Sequence, residues 1–166
     1  SLRIAKVSTL RKKEAKRLEE SLLQLSDKQD TIVMKNSRLK LIIEKLTGKI
    51  ISLKSTLNNR ELMREDDGIG IHVYREHGTK YPAWEIAPGY TQRPVNKGIV
   101  RALQVVKDTD RIKTVKLIYK FKHTKIVHYV SLKAGSEIVD FQTDIDVHDK
   151  YLLFKMRFPL SLDADT

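Results

Sequence analysis

Apolar and polar residues alternate along most of the chain from Thr31 onward, which is the pattern of half-buried strands. Two such segments, residues 38–44 and 49–54, flank a short turn sequence at 46–49. Gly48 lies in that turn and can adopt the positive φ that tight turns require. The sequence therefore predicts a β-hairpin in this part of the chain.

The last third of the chain has the clearest strand pattern. Branched and aromatic residues alternate with lysines, and a turn sequence follows roughly every ten residues. Short strands with frequent turns predict an antiparallel sandwich or barrel. The sequence shows no strand–helix–strand alternation, which argues against a doubly wound sheet. We expect one meander of strands over residues 98–106, 113–122, 125–132, 138–146 and 151–158.

The N-terminal residues follow a different pattern. Residues 2–7 alternate apolar and basic side chains, as in a strand. Residues 10–25 are rich in Lys, Glu, Ala and Arg, and their leucines are spaced i, i+4, i+7 at Leu18, Leu22 and Leu25. This composition and spacing favour a short amphipathic helix. An edge strand with a charged face is the alternative for the same residues.

These patterns divide the chain into two regions. We predict an N-terminal strand with a charged linker or helix over residues 1–30, and a β-sandwich domain over residues 31–166. Within the domain, residues 76–94 are rich in proline and aromatic residues and include the single tryptophan, Trp84. A loop of this length is usually functional or packs as its own cluster. Trp84 is expected either to fill the core under the loop or to stack on a sugar.

The composition adds a strong positive charge. The 166 residues include 32 Lys and Arg against 21 Asp and Glu, which gives a net charge of +11. Such a charge is typical of proteins that bind nucleic acid or an acidic protein surface. The basic residues are scattered and alternate with apolar ones, however, as on the solvated face of a sheet. We therefore predict no nucleic-acid partner.

The chain contains no cysteine, which excludes disulfides and thiolate metal sites within it. No apolar run reaches the roughly 18 residues that span a bilayer, and no signal-peptide pattern is visible at the start. These observations predict a cytoplasmic protein without membrane contact.

Motifs of known enzyme chemistry are missing from the sequence. The chain has neither a glycine-rich phosphate loop nor a Gly-x-Ser-x-Gly elbow. The only dense cluster of potential ligands is Asp144, Asp146, His148 and Asp149. Asp144 and Asp146 are two positions apart on a predicted strand and share a face, where a hard cation is conceivable. Carboxylates that are solvated or that bond to the adjacent turn are the alternative, and we assign no metal ligand.

Three stretches, in order, resemble α-mannosidases of glycoside hydrolase family 38, of the bacterial and cytosolic type. Residues 139–159 resemble a marker stretch of the family, with Val147 in place of its usual Trp and Asp149 in place of its usual Glu. Residues 36–53 resemble the hairpin that follows the family's helical bundle. Residues 83–86, Ala-Trp-Glu-Ile, resemble a segment that lies a few strands later.

The resemblance implies an all-β fold, an antiparallel β-sandwich of the supersandwich, galactose-mutarotase-like kind. It also implies a retaining α-mannosidase whose zinc ion and aspartate nucleophile belong to a catalytic domain outside these residues. Under this hypothesis the 166 residues are inactive alone, and we assign no catalytic residue among them. Their partners are the missing catalytic domain of the same chain and a mannoside substrate. The candidates for bordering that substrate are Trp84, Glu85, Asp144, Asp146, His148 and Asp149.

A free-standing β-sandwich module that binds carbohydrate or protein is the alternative hypothesis. The native reading frame separates the two, because an upstream segment with a His-x-Asp motif favours the enzyme and a native start near Ser1 favours the module. The sequence leaves the glycosidic linkage, the aglycone and the oligomeric state, a homo-oligomer included, open.

Overall fold

A computed structural model describes residues 23–64, 68–76, 79–81, 85–95 and 100–161 of the chain. Within these residues the fold is built from ten strands and one 3-10 turn at Tyr90–Gln92. No described helix is long and apolar enough to cross a membrane. The strands are β1 (Gln24–Asp27), β2 (Thr31–Lys35), β3 (Leu39–Glu44), β4 (Ile50–Ser55), β5 (Gly70–Arg75), β6 (Val100–Asp108), β7 (Ile112–Phe121), β8 (Thr124–Lys133), β9 (Val139–Asp146) and β10 (Leu152–Arg157).

The strands form two four-stranded antiparallel sheets and one two-stranded ribbon. The first sheet has the order β1-β2-β3-β4, the second has the order β6-β7-β8-β9, and β5 pairs with β10. Buried side chains from both sheets belong to one hydrophobic core, so the sheets pack face to face. The predicted all-β sandwich is confirmed. Fully buried core residues include Ile32, Leu41 and Ile43 of the first sheet and Val115, Leu117 and Ile126 of the second.

Strand β7 shows why the alternating sequence forms a two-faced sheet. Successive side chains of a strand point to opposite faces. Val115, Leu117 and Tyr119 are buried in the core, whereas Lys116 and Lys120 point to the other face. Burying apolar area stabilises the fold by about 25 cal/mol per Å², so a slip of one residue that exposed this row would be costly. The lysines between the apolar residues therefore fix the register.

Gly48 lies in the turn between β3 and β4, and its lack of a side chain lets Tyr119 of the second sheet approach its backbone closely. Its φ is +71°, and its carbonyl oxygen lies 3.4 Å from the Tyr119 hydroxyl oxygen, which donates to it. A Cβ atom on Gly48 would lie 2.2 Å from that hydroxyl oxygen. Burial raises the pKa of Tyr119, so the phenol stays protonated and remains a donor. The turn of the predicted hairpin therefore favours glycine for two reasons: the positive φ at this position, and the Tyr119 hydroxyl, which leaves no space for a Cβ atom.

Asn36 connects the sheets at another place. Its side chain is fully buried in the turn between β2 and β3. The amide oxygen accepts hydrogen bonds from the N–H groups of Arg38 and Leu39 at 2.8 and 2.7 Å. The amide nitrogen donates to the carbonyl oxygens of Lys133 and Ser136, in the β8–β9 turn, at 2.6 and 2.9 Å. All four hydrogen bonds of this amide are therefore made inside the protein.

Two expectations from the sequence are wrong. Residues 152–157 do not close the meander, because β10 pairs with β5 rather than with β9. The chain leaves the sheet through Tyr151, which has a φ of +59° and turns the backbone away. The helix favoured over 10–25 does not extend to the end of that segment, where Gln24–Asp27 forms β1, at the edge of its sheet as in the strand alternative.

Strand β1 forms because its backbone pairs residue by residue with β2, and Leu25 packs against the core. Tertiary pairing and burial there outweigh local helix propensity. The predicted strand at 2–7 and the rest of the predicted helix lie outside the described residues.

Candidate functional site

A cleft of about 440 Å³ opens at one end of the second sheet. It lies where the end of β5, the start of β6, the β7–β8 turn and the β9–β10 connection meet. Apolar side chains line part of it, namely Val95, Phe121 and Leu152. Among the described residues, one acid, Asp149, and five cations line the remainder, so we call it the basic cleft. The cations are Arg75, Arg101, Lys120, Lys122 and Lys150.

The elements around the cleft explain why these cations meet. Lys120 and Lys122 flank the buried Phe121 at the end of β7, and all three residues line the cleft beside the tight turn to β8. Lys122 has a φ of +40° in that turn, an uncommon angle for a residue with a side chain. Arg75 ends β5 and Lys150 precedes β10, and these two strands pair antiparallel. Their pairing brings the two side chains to the same end of the ribbon.

A reciprocal set of hydrogen bonds holds the two loops of the cleft together. The Asp149 carboxylate accepts from the N–H groups of His123 and Thr124 at 3.2 and 3.0 Å. The Thr124 hydroxyl oxygen in turn accepts from the N–H groups of His148 and Asp149 at 3.2 and 3.1 Å. Thr124 is fully buried, so these bonds are shielded from water on that side. We call this arrangement the Thr124–Asp149 pair.

The Thr124–Asp149 pair also sets the charge of the carboxyl group. Desolvation acts to raise the pKa of Asp149, but the hydrogen bonds with Thr124 and from the N–H of His123 prevail and lower it below the ordinary value of an aspartate. Asp149 is therefore ionised near neutral pH, and its acceptor oxygen Oδ2 is directed to backbone N–H groups.

The five cations of the cleft have no such partners. Among the residues that the structure describes, none of these side chains forms an ion pair or a hydrogen bond. Some lysines elsewhere are paired, for example Lys45 with Asp27 at 2.6 Å and Lys133 with Asp140 at 2.8 Å. What distinguishes the basic cleft is that five such cations converge on one cavity.

The other acidic candidates lie outside the cleft lining. Asp144 and Asp146 are exposed on the same face of β9, as their spacing predicts. Asp146 pairs with the Nε2 atom of His148 at 2.9 Å, and both side chains are well exposed. Of the four residues in the predicted cluster, the structure therefore brings two into contact and directs Asp149 to a turn. Within the described ranges no group of three or more His, Cys, Asp or Glu side chains could hold a metal ion.

The aromatic segment at 76–94 is described only in part. Trp84 lies outside the described residues, so neither of its two predicted roles is tested. Glu85 is exposed, and its N–H donates to the carbonyl oxygen of Tyr81 at 3.0 Å. Tyr90 contacts Tyr74 edge to face at 5.2 Å between ring centroids, and the Lys155 ammonium lies over the Tyr90 ring. The segment is thereby anchored to the β5–β10 ribbon by an aromatic cluster.

Reasoning from the sequence missed the cations of the cleft. They come from four separate parts of the chain, so no spacing rule connects them. One signal was present: Lys120 and Lys122 flank an apolar ring immediately before a turn. That pattern indicates two positive charges close to the turn.

Comparison with protein families gives one match. Residues 34–166 match the family model described as glycosyl hydrolases family 38 C-terminal domain. The matched range includes strands β3 to β10 and every residue named as lining the cleft. A search of curated proteins found no match.

Proposed function

The chain belongs to glycosyl hydrolase family 38, as part of its C-terminal region, and from this premise we propose that it is the non-catalytic β-sandwich of an α-mannosidase. The whole enzyme would be of the bacterial or cytosolic type, cytoplasmic, and would hydrolyse α-mannosides with retention of configuration. The family match over residues 34–166 is the observation that carries the proposal. The zinc ion and the nucleophilic aspartate would belong to a catalytic domain outside these residues.

The roles of the local carboxylates support placing the chemistry elsewhere. A retaining glycosidase needs two carboxyl groups about 5 Å apart across the sugar ring. Asp149 is engaged with the backbone of the β7–β8 turn, and Asp146 is paired with His148. Neither is positioned as half of a free pair facing a common cavity. We therefore propose that the 166 residues alone do not hydrolyse a mannoside.

A surface for the catalytic domain is suggested by the end of the chain. Large apolar side chains are exposed on β9, on the connections before and after it, and just after β10. Strand β9 is also an edge of its sheet within the described residues, so its outer backbone groups are open to pairing. An open sheet edge flanked by exposed apolar side chains is a place where another domain can pack. The residues are Ile138, Ile145, Val147, Tyr151 and Phe158.

Hydrolysis of an aryl α-mannoside tests the proposal. The natural polypeptide that contains these residues should release the aryl group, and residues 1–166 expressed alone should not. Removal of zinc with a chelator should abolish the activity, and added zinc should restore it. Hydrolysis by the isolated 166 residues, or full activity after chelation, would contradict the proposal.

Substrate and stereochemical controls make the test specific. Aryl β-mannoside and aryl α-glucoside should be cleaved far more slowly than the α-mannoside. Proton NMR of the first product should show α-mannose, because a retaining mechanism passes through a glycosyl-enzyme intermediate. A natural polypeptide that begins near Ser1 and cleaves none of these substrates would instead favour a binding module.

A further inference from the structure

We propose that the basic cleft is a binding site for a small organic phosphate. Its cations would hold the phosphate group, and its apolar floor would contact the carbon skeleton of the same molecule. This inference rests on the geometry of the cleft and not on the proposed mannosidase function, so either can fail alone.

The charge of the cleft is the first argument. Five cationic side chains surround a space of about 440 Å³, and none of them is paired within the part of the chain that the structure describes. Like charges that converge on one cavity repel each other, and a cavity wall of low dielectric concentrates their field. A doubly charged anion relieves this repulsion more than a singly charged one. Phosphate monoesters carry such a charge near neutral pH, since their second pKa is about 6.

The position of Asp149, the one acid among the described residues of the lining, is the second argument. Asp149 lines the cleft, but its Oδ2 atom accepts hydrogen bonds from the N–H groups of His123 and Thr124. The carboxylate therefore orders the loops rather than pairing with a lysine or arginine. Because the Thr124 hydroxyl binds the opposite loop in return, Lys122 and Lys150 are carried on two turns that are fixed relative to each other. A site that is ordered before binding loses less entropy when its ligand arrives.

The size and floor of the cleft are the third argument. Ligand sites for small molecules usually enclose about 300 to 1,000 Å³. A volume of about 440 Å³ lies in this range and exceeds what an inorganic phosphate ion would fill. Phe121, Leu152 and Val95 provide an apolar wall on which a ring or a carbon chain could pack. An anion with an apolar face thus matches both parts of the lining.

Three probes separate the charge from the floor. Phenyl phosphate carries both a dianion and an apolar ring, inorganic phosphate carries only the charge, and phenol carries only the ring. Isothermal titration calorimetry on the natural polypeptide, at pH 7.5 and low salt, should give affinities in that order. Binding of phenyl phosphate should weaken as salt is added, because ions screen exposed charges.

Matched variants localise the binding. Lys122→Gln with Lys150→Gln removes two loop cations, and Arg75→Gln with Arg101→Gln removes two strand cations. Each double variant should weaken phenyl phosphate binding at least about tenfold, on the basis of charge-assisted contacts. Lys28→Gln with Lys107→Gln removes the same charge from exposed positions outside the cleft and should leave the affinity within about twofold. Circular dichroism verifies that every variant is folded.

Several results would overturn the proposal. They are the absence of phenyl phosphate binding, an affinity for phenol equal to that for phenyl phosphate, and equal losses in the control and cleft variants. Unchanged binding in either folded cleft variant would also overturn it. Inorganic phosphate that binds as tightly as phenyl phosphate would overturn the role of the apolar floor.

Discussion

Strand β8 begins and ends in two different polar environments. At its last residue, Lys133, the backbone carbonyl accepts a hydrogen bond from Asn36, whose amide makes four bonds inside the protein. At its first residue, Thr124, hydrogen bonds also join two loops, but the cleft beside them is lined by cations that have no partner among the described residues. The polar groups of Asn36 at the Lys133 end have all their hydrogen bonds, whereas the cations at the Thr124 end are left without an ion-pair partner among the described residues.

The difference separates two uses of polar groups. A buried amide with every bond made contributes to stability and to the relative position of the sheets, and nothing remains for a ligand. Charges held at the protein surface without partners add little to stability and can act on another molecule. We therefore expect substitutions at the Lys133 end of β8 to lower stability and substitutions of the cations at the Thr124 end to lower ligand affinity. Variants can test this difference.

The largest effect on stability should come from Asn36→Ala. The substitution removes a buried amide that makes four hydrogen bonds, to the carbonyl groups of Lys133 and Ser136 and to two N–H groups of its own partly buried turn. We expect a loss of about 3 kcal/mol in the free energy of unfolding in urea, with phenyl phosphate affinity unchanged at temperatures where the variant is folded. The neighbouring Ser37→Ala serves as the control and should change stability by less than about 0.5 kcal/mol. A loss below about 1 kcal/mol in Asn36→Ala would show that the contrast between the ends is wrong.

Acid should have the next largest effect, through His128 in the middle of β8. The side chain is 2% exposed, and burial lowers its pKa to about 4. The unfolded chain takes up a proton near pH 6.5, whereas the native protein does so only near pH 4, so stability should fall as the pH decreases between these values. The full shift corresponds to about 3 kcal/mol.

Urea unfolding at several pH values measures the effect of His128. His128→Gln should remove most of this slope, and His123→Gln, in the exposed β7–β8 turn, should retain it. An unchanged slope in His128→Gln would place the sensitivity elsewhere. The hydrogen bond between His128 Nδ1 and the Thr143 hydroxyl, at 2.7 Å, is compatible with the neutral ring.

Asp149→Asn should have a smaller effect on stability and an opposite effect on binding. The amide oxygen still accepts from the β7–β8 turn, but a neutral acceptor makes weaker bonds than a carboxylate. The unfolding midpoint should fall by less than in Asn36→Ala. Loss of the negative charge of Asp149 from the lining of the cleft should strengthen phenyl phosphate binding, as calorimetry can measure.

The pH supplies a second readout for Asp149. Its carboxyl pKa is lower in the native state, so the stability that it provides is present near neutral pH and is lost as the pH falls through that lowered pKa. Asp149→Asn should lack this contribution, whereas Asp144→Asn, at an exposed position of β9, should retain it. Weaker phosphate binding in Asp149→Asn would mean that the loops need the full charge of the pair.

The smallest effect on stability should come from a single cation of the cleft. Lys150→Gln removes an exposed charge that has no partner in the described part of the chain, and it should change the free energy of unfolding by no more than about 0.5 kcal/mol. The same variant should lose affinity for phenyl phosphate severalfold. A destabilisation comparable to that of Asn36→Ala would show that this end of β8 is structural as well.

Much of the fold follows from the sequence, because alternation reports directly which face of a strand is buried. The β3–β4 hairpin and the strands of the second sheet are confirmed on that basis. The partner of β10 was not predictable, since alternation is the same for any antiparallel neighbour. Helix or edge strand was left open for residues 10–25, because the pairing of β1 with β2 is a tertiary effect that local helix propensity does not report.

The candidate site was predictable only in fragments. The sequence drew attention to Asp149, but its role as an acceptor for Thr124 depends on two turns about 25 residues apart in the chain. Arg75 and Arg101 gave no signal, since a basic residue at a strand end is ordinary in a chain of net charge +11. Convergence of side chains from separate strands is a property of the packed sheets and not of any local pattern.

Gly48 and Tyr119 carry a consequence for how such sequences change over time. The phenol hydroxyl occupies the space where a methyl group at position 48 would lie, so the two residues share one small volume between opposite sheets. A larger residue at position 48 becomes acceptable only if position 119 loses its hydroxyl and the turn finds another backbone angle. We therefore expect the two positions to vary together among relatives, as a pair separated by 71 residues in the chain.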